Sequence, residues 1–284
     1  MINALMLCAV SFGIFAQNVL KKQYNLKTKG GGAFVFSAFS VLVACLFFVV
    51  SGGFRFSFTA GVLPYAIGFA AAYGAAVVAS FLAIRTGPLS LTSLITSYSL
   101  IIPTFWGLLF LNEKVSVFFW VGFGLLMISL FLIRTKSGEK KFHPAWLVFI
   151  TLAFVGNGMA SAVQTSQQRA FDGAFKNELM IVALLMVAAL LLPLSAIFEK
   201  KQFLPSVKKG WPLILICGLT NAAVNLLVML LVARMRAALM FPIISAAGIL
   251  LTWGASRFVY KEILTRRQNL AMVFGIISVV LMNL

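Results

Sequence analysis

Apolar residues run through this chain in long blocks separated by short polar joins. Ten blocks read as membrane spans, at 2–20, 32–52, 61–83, 88–111, 115–133, 144–168, 178–198, 211–233, 237–259 and 266–284. A spanning helix needs about 20 apolar residues. Backbone facing lipid must be hydrogen-bonded within its own segment, so runs of this length predict helices. Pro88, Pro144 and Pro212 stand at the first turn of a predicted helix, where a missing N–H costs nothing. Arg85-Thr86-Gly87 joins spans 3 and 4, and Arg234-Met235-Arg236 joins spans 8 and 9. Joins this short predict antiparallel neighbours. The expected fold class is an all-α integral membrane protein.

Composition narrows the picture. The 284 residues are 62% hydrophobic and only 10% charged, which excludes a water-soluble globule. The net charge of +17 comes from 23 Lys and Arg against 6 Asp and Glu. Most of the basic residues fall in the joins after odd-numbered spans. Positive loops stay cytoplasmic, so both termini are expected outside the cell membrane. No basic helix or motif fits nucleic acid. The first run starts at Ile2 with no basic residue before it and meets Lys21-Lys22 without a small-residue cleavage site, so it reads as a span and not as a signal peptide. Cys8, Cys45 and Cys217 lie inside apolar runs and read as small buried hydrophobes.

The chain also repeats itself. At an offset of 149 residues, Glu113, Ser116, Gly122 and Ser129 match Glu262, Thr265, Ala271 and Ser278. The same offset pairs Arg85 with Arg234 and Thr96 with Ser245. Two units follow, 1–135 with spans 1–5 and 142–284 with spans 6–10. Five is odd, so the second unit enters the membrane from the opposite side. Inverted repeats of this kind are common in secondary transporters, which use them for alternating access about a midplane site.

These residues resemble the drug/metabolite transporter superfamily, EamA type. The E-x-x-[S/T] turn occurs twice, at Glu113–Ser116 and Glu262–Thr265, each followed by a small residue in the next span. Phe12-Gly13 and then Lys21 is similar to the aromatic-glycine-lysine pattern of that family's first helix, with Phe12 where the family usually has Trp. The resemblance implies a ten-helix, 5+5 inverted-repeat permease or exporter. It implies a central cavity lined by helices 1, 3, 4, 6, 8 and 9, with helices 5 and 10 bracing the periphery or making a homodimer contact. Substrates of that superfamily range from amino acids and sugars to nucleosides and drugs.

The acids are informative by their placement. Glu113, Glu139, Asp172, Glu178, Glu199 and Glu262 all fall in loops or at span ends. A proton-coupled cation exporter wants a carboxylate in mid-membrane. The expected cargo is therefore a small polar metabolite that is neutral, zwitterionic or anionic, with a multidrug exporter as the alternative. The Glu113 and Glu262 turns read as structural, with Ser116 and Thr265 capping the next helix.

Uncharged polar residues recur at helical spacing. Thr92, Thr96, Ser99, Pro103 and Trp106 share a face of span 4, and Asn157, Ser161, Gln164 and Gln168 share one of span 6. Gln17 and Asn18 in span 1, Asn221 and Asn225 in span 8, and Ser245 and Thr252 in span 9 add to them. Amides facing hydrocarbon are costly and should turn inward, whereas a single hydroxyl can bond back to its own helix. The cavity candidates are Asn18, Tyr73, Thr96, Trp106, Asn157, Ser161, Gln164, Asn221, Asn225, Ser245 and Trp253. Arg85 and Arg234 are gate or loop candidates, and Trp146 and Trp211 read as interfacial anchors. Tyr98 is a packing or cavity-wall aromatic. Pro103 and Pro242 are expected to interrupt spans 4 and 9. Gly68, Ala72, Gly74, Ala76 and Ala79 give span 3 a small-residue surface for close helix contact.

An enzyme is the second class to weigh. The single histidine, His143, lies in a basic loop, which excludes a two-histidine metal site. No G-x-S-x-G or H-E-x-x-H occurs, and the spans as drawn hold no lysine for a Ser–Lys dyad. A channel, the third class, would want a filter loop or charged ring. The expectation is a non-enzyme without cofactor or metal, whose partners are a small solute and the bilayer.

Overall fold

Nearly every apolar run folds as a helix. The structure, a computed structural model, describes residues 2–29, 31–99, 101–111, 116–133, 143–261 and 265–282. Among these residues there are eleven α-helices and no strand. They are α1 (Ile2–Lys27), α2 (Ala33–Ser51), α3 (Leu63–Thr86), α4 (Leu89–Tyr98), α5 (Ile101–Phe110), α6 (Val117–Ile133), α7 (Pro144–Ala170), α8 (Lys176–Phe198), α9 (Phe203–Val232), α10 (Ala237–Phe258) and α11 (Arg266–Leu281). A short 3-10 turn, Ala60–Val62, leads into α3. By length and composition, α1, α2, α3 with its leading turn, α4 and α5 together, α7, α8 and α9 can each cross a membrane. The apolar stretches of α6 and α10 are shorter.

The outer surface fits that reading. Leu46, Leu109, Trp120, Leu147, Leu190 and Ile197 are all exposed, while Gln164, Gln167 and Gln168 are buried. A water-soluble monomer rarely exposes apolar surface on this scale. In a bilayer the outward apolar groups cost nothing, and the polar groups must find partners inside. The protein is all-helical and built for a membrane.

Packing follows a regular scheme. α1 lies on α9 and α10, and α7 lies on α3 and on α4 and α5. α2 packs on α8 and α9, and α8 packs on α2 and α3. α6 pairs with α11, and α10 pairs with α4 and α5. Exchanging α1 with α7, α2 with α8, α3 with α9, the α4–α5 pair with α10, and α6 with α11 leaves this set of packings unchanged. Members of the two matched sets meet across it, though not at the 149-residue spacing itself. Ser129 Oγ donates to the Ala271 carbonyl at 2.6 Å, and a Cβ on Gly122 would stand 2.5 Å from the Ser278 carbonyl oxygen. Ser245 Oγ donates to the Ser97 carbonyl at 2.7 Å.

α7 crosses α3 closely. A Cβ on Gly156 would come within 2.7 Å of the Ala72 carbonyl oxygen, so only glycine lets these backbones approach so closely. This uses the small-residue surface of span 3. The short joins behave differently from expectation: α3 and α4, like α9 and α10, meet mainly at their linked ends. A short join brings two ends together, and side-chain volume then decides the lengthwise partner.

Several boundaries move. α1 continues to Lys27 because Lys21, Tyr24 and Asn25 turn inward and are buried. Span 4 is two helices. Its break falls after Tyr98, at the position where the ring of Pro103 crowds the carbonyl four residues earlier, that of Ser99. Pro242 does not interrupt α10, where it stands in the second turn and removes one bond near the helix start. Pro212 lies inside α9 and not at its start, since the segment from Phe203 is also helical and packs through Ser206 and Gly210 against Tyr24. Pro144 opens α7 as expected, and Pro88 is the residue preceding α4.

Trp146 is not an interfacial anchor. It is 1% exposed, fills the space beside the side-chain-free Gly87, and its Nε1 donates to Thr92 Oγ1 at 3.0 Å. Trp211 is exposed. Cys8 is exposed on the outward side of α1, whereas Cys45 and Cys217 are buried. Thr265 caps α11 in a reciprocal box with Gln268. Glu113 and Glu262 lie outside the described residues, and Ser116 immediately precedes α6.

Candidate functional site

A polar cavity of about 160 Å³ lies among six helices. α1, α3 and α4 line it from the N-terminal half of the chain, and α7, α9 and α10 from the C-terminal half. Each helix reaches it through a few polar side chains on an otherwise apolar rod.

Nine of the eleven sequence candidates converge here: Asn18, Tyr73, Thr96, Asn157, Ser161, Gln164, Asn221, Asn225 and Ser245. The helical stripes explain the convergence, because residues three and four apart share a face. Trp106 and Trp253 do not line the cavity. Trp106 Nε1 donates to Ser166 Oγ at 2.7 Å and ties α5 to α7. Trp253 packs among buried residues of the α4, α6 and α11 region, with its Nε1 lacking a partner among the described residues. Tyr98 is also structural, its hydroxyl 2.6 Å from Ser129 Oγ. Thr92 is engaged by Trp146, and Gln168 bonds to its neighbour Gln167, so neither joins the wall. Arg85 and Arg234 are exposed at helix ends, away from the cavity, as topological or snorkelling residues would be.

The amides form one chain. Asn221 Nδ2 donates to Gln17 Oε1 at 3.1 Å, Asn225 Nδ2 donates to the Asn221 carbonyl at 2.9 Å, and Gln164 Nε2 donates to Asn225 Oδ1 at 2.9 Å. This chain links α1, α9 and α7 around the cavity. Asn18 Nδ2 donates to Ser93 Oγ at 3.2 Å and adds α4. The hydroxyls of Thr96, Ser99 and Ser161 bond back to their own helices. Asn157 presents an amide with no partner among the described residues.

One wall residue overturns an expectation. Lys21 read as a loop residue at the end of span 1, and the spans held no lysine. In the structure Lys21 lies inside α1, lines the cavity and is 9% exposed. Its Nζ donates to Ser80 Oγ on α3 at 2.8 Å. Lys21 stands six residues, about 9 Å, short of the helix end, and turns inward and not toward the rim. No carboxylate pairs with it among the described residues. Ionisable side chains buried among spanning helices are rare and mark function by default, so Lys21 calls for one. The sequence signal was available: Lys21 falls four residues after Gln17 and three after Asn18, on the same stripe.

The Lys21–Ser80 couple brings together the two side-chain types of a Ser–Lys dyad, and the Ser80 hydroxyl also lies 3.2 Å from the Val77 carbonyl. No group of three or more metal-ligating side chains gathers among the described residues.

No family model matches the chain, and no curated protein matches it. A solved structure, described only as the crystal structure of a protein, aligns with a TM-score of 0.64 at 15% identity. The alignment covers 96% of this chain and 95% of the other. This chain therefore shares its whole fold with an experimentally determined protein, and at that identity the likeness speaks for fold alone.

Proposed function

We propose that this protein is a secondary transporter with the 5+5 inverted-repeat architecture of EamA-type drug/metabolite transporters. On this reading it moves a small polar organic solute across the cell membrane by alternating access. The observation that carries the proposal is the cavity: an uncharged amide chain and one lysine, enclosed by three helices from each half, inside a rod bundle whose outer face is apolar. The exchange symmetry of the packing supports two repeated units, 1–135 and 142–284. Two units that pack by the same contacts can trade places, so that a site between them opens first to one side and then to the other. The break between α4 and α5 also fits, since discontinuous helices in transporters tend to border the solute site.

Size favours a metabolite over a drug. Drug-sized ligands occupy pockets of about 300–1,000 Å³, and this cavity holds about 160 Å³. Among the described residues the wall has no carboxylate to attract a lipophilic cation. The basic joins argue for both termini outside the cytoplasm.

Flux in proteoliposomes tests the proposal. Vesicles preloaded with a pooled extract of small metabolites should take up labelled members of that pool in a saturable manner, accelerated by solute on the far side. Non-saturating conductance would replace the carrier reading with a channel.

A further inference from the structure

We propose that the ammonium of Lys21 is the element that recognises the solute, and that the solute carries a carboxylate or a comparable small anionic group. This inference rests on the transporter reading and narrows its cargo to anions and zwitterions.

Four observations lead to it. Lys21 lines the cavity, is almost fully buried and holds its Nζ on a neutral partner, Ser80 Oγ, at 2.8 Å. A serine hydroxyl orients an ammonium without neutralising it. The acids among the described residues lie elsewhere: Asp172, Glu178 and Glu199 do not line the cavity, and Glu199 is occupied with the backbone N–H groups of Phe34 and Val35 at 3.2 and 2.9 Å. Finally, among the described residues Lys21 is the sole Lys, Arg, His, Asp or Glu in the cavity wall. An uncompensated positive charge in a low-dielectric hollow attracts anions and repels cations far more strongly than the same charge in water. An ammonium also offers three donors, enough to keep Ser80 and still meet an anion.

The remaining wall then reads the rest of the solute. Asn157 presents a free amide donor and acceptor to the cavity. A molecule with a carboxylate at one end and a hydroxyl, amine or amide at the other can satisfy Lys21 and Asn157 together. A cation of the same size finds no counter-charge.

The field inside the cavity can be measured without knowing the solute. Ser161 lines the wall and bonds only to its own helix. Ser161→Cys, placed in a background with Cys8, Cys45 and Cys217 replaced, gives a reporter thiol. Its labelling rate is compared for an anionic sulfonate-bearing thiosulfonate and a cationic trimethylammonium one. We expect the anionic reagent to win by at least about tenfold, a normal focusing effect of a charged cleft. The preference should vanish with Lys21→Gln and persist with Lys21→Arg. Equal rates in the Lys21 protein, or an anionic preference that survives Lys21→Gln, overturn this proposal and leave the transporter reading intact. Failure of both reagents to label at all overturns both, because the cavity is then closed to solutes.

Discussion

Two polar couples hold the cavity wall, one in each half of the molecule, and they differ in one respect. In the N-terminal half, Lys21 of α1 bonds Ser80 of α3 at 2.8 Å. In the C-terminal half, Gln164 of α7 bonds Asn225 of α9 at 2.9 Å. The exchange of halves carries α1 onto α7 and α3 onto α9, so the two couples join corresponding helix pairs, at positions that the 149-residue offset does not match. One carries a charge and the other does not. Each of these helix pairs is thus tied by a side-chain bond at the cavity, and the two bonds differ in chemistry. Packing needs the bond; recognition needs the difference.

The largest effect that sharpens this comparison lies in the crossings that set each couple in register. α7 meets α3 through Gly156, where a new Cβ would stand 2.7 Å from a backbone carbonyl. α1 meets α9 through Gly13, where a new Cβ would stand 2.4 Å from Val224 Cγ2. Backbone has nowhere to go, whereas a valine methyl can move at the cost of a less favoured rotamer. Gly156→Ala should lower stability by about 1–3 kcal/mol, as overpacking does, and Gly13→Ala by distinctly less. Thermal unfolding of the two variants in detergent measures this. Equal losses would mean that the two crossings are interchangeable and that the halves do not differ in tightness.

A smaller effect separates the two serines of the repeat. Ser129 donates to the Ala271 carbonyl and receives the Tyr98 hydroxyl at 2.6 Å. Its counterpart Ser278 bonds only back to Gly275 within its own helix. Ser129→Ala leaves a buried phenol without its partner and should cost about 1 kcal/mol or more. Ser278→Ala should cost little. The same unfolding assay decides, and a larger loss for Ser278→Ala would reverse the assignment of which copy holds the interface.

Much of this was legible in the chain itself. Long apolar runs fix helices whatever the tertiary context, because lipid leaves the backbone no other partner. Amides mark the inward face for the same reason, and all five amides among the eleven cavity candidates line the cavity. The misreadings share a cause: they concern residues whose type admits two environments. Lys21 carries a charge and a long apolar stem, and the charge alone suggested a loop. Trp146, Trp106 and Trp253 have an apolar body and one polar N–H. Their spacing does not tell whether the N–H meets a headgroup, a solute, Thr92 or Ser166. Proline was misread at Pro212 and Pro242 because an isolated ring states which bond is missing, and the neighbouring packing decides whether the helix survives the loss.

The smallest effect concerns the amide couple alone. If its task is packing, its strength should match an ordinary polar contact between membrane helices, about 0.6 kcal/mol by double-mutant cycle. The cycle uses Gln164→Ala, Asn225→Ala and the double variant, with unfolding free energy as the readout. Asn225 also donates to the Asn221 carbonyl, and Gln164 lies 3.6 Å from Met180 Sδ, so neither group is stranded when the other is removed. That redundancy keeps the coupling small. The lysine couple has no such redundancy: removing Ser80 leaves the ammonium without a protein acceptor, and hydrogen bonds to charged groups are worth about 1.5–3 kcal/mol. A Lys21–Ser80 cycle should therefore return the larger coupling of the two. Equal couplings would place both couples in the same structural role and leave the charge of Lys21 without a consequence for the wall that holds it.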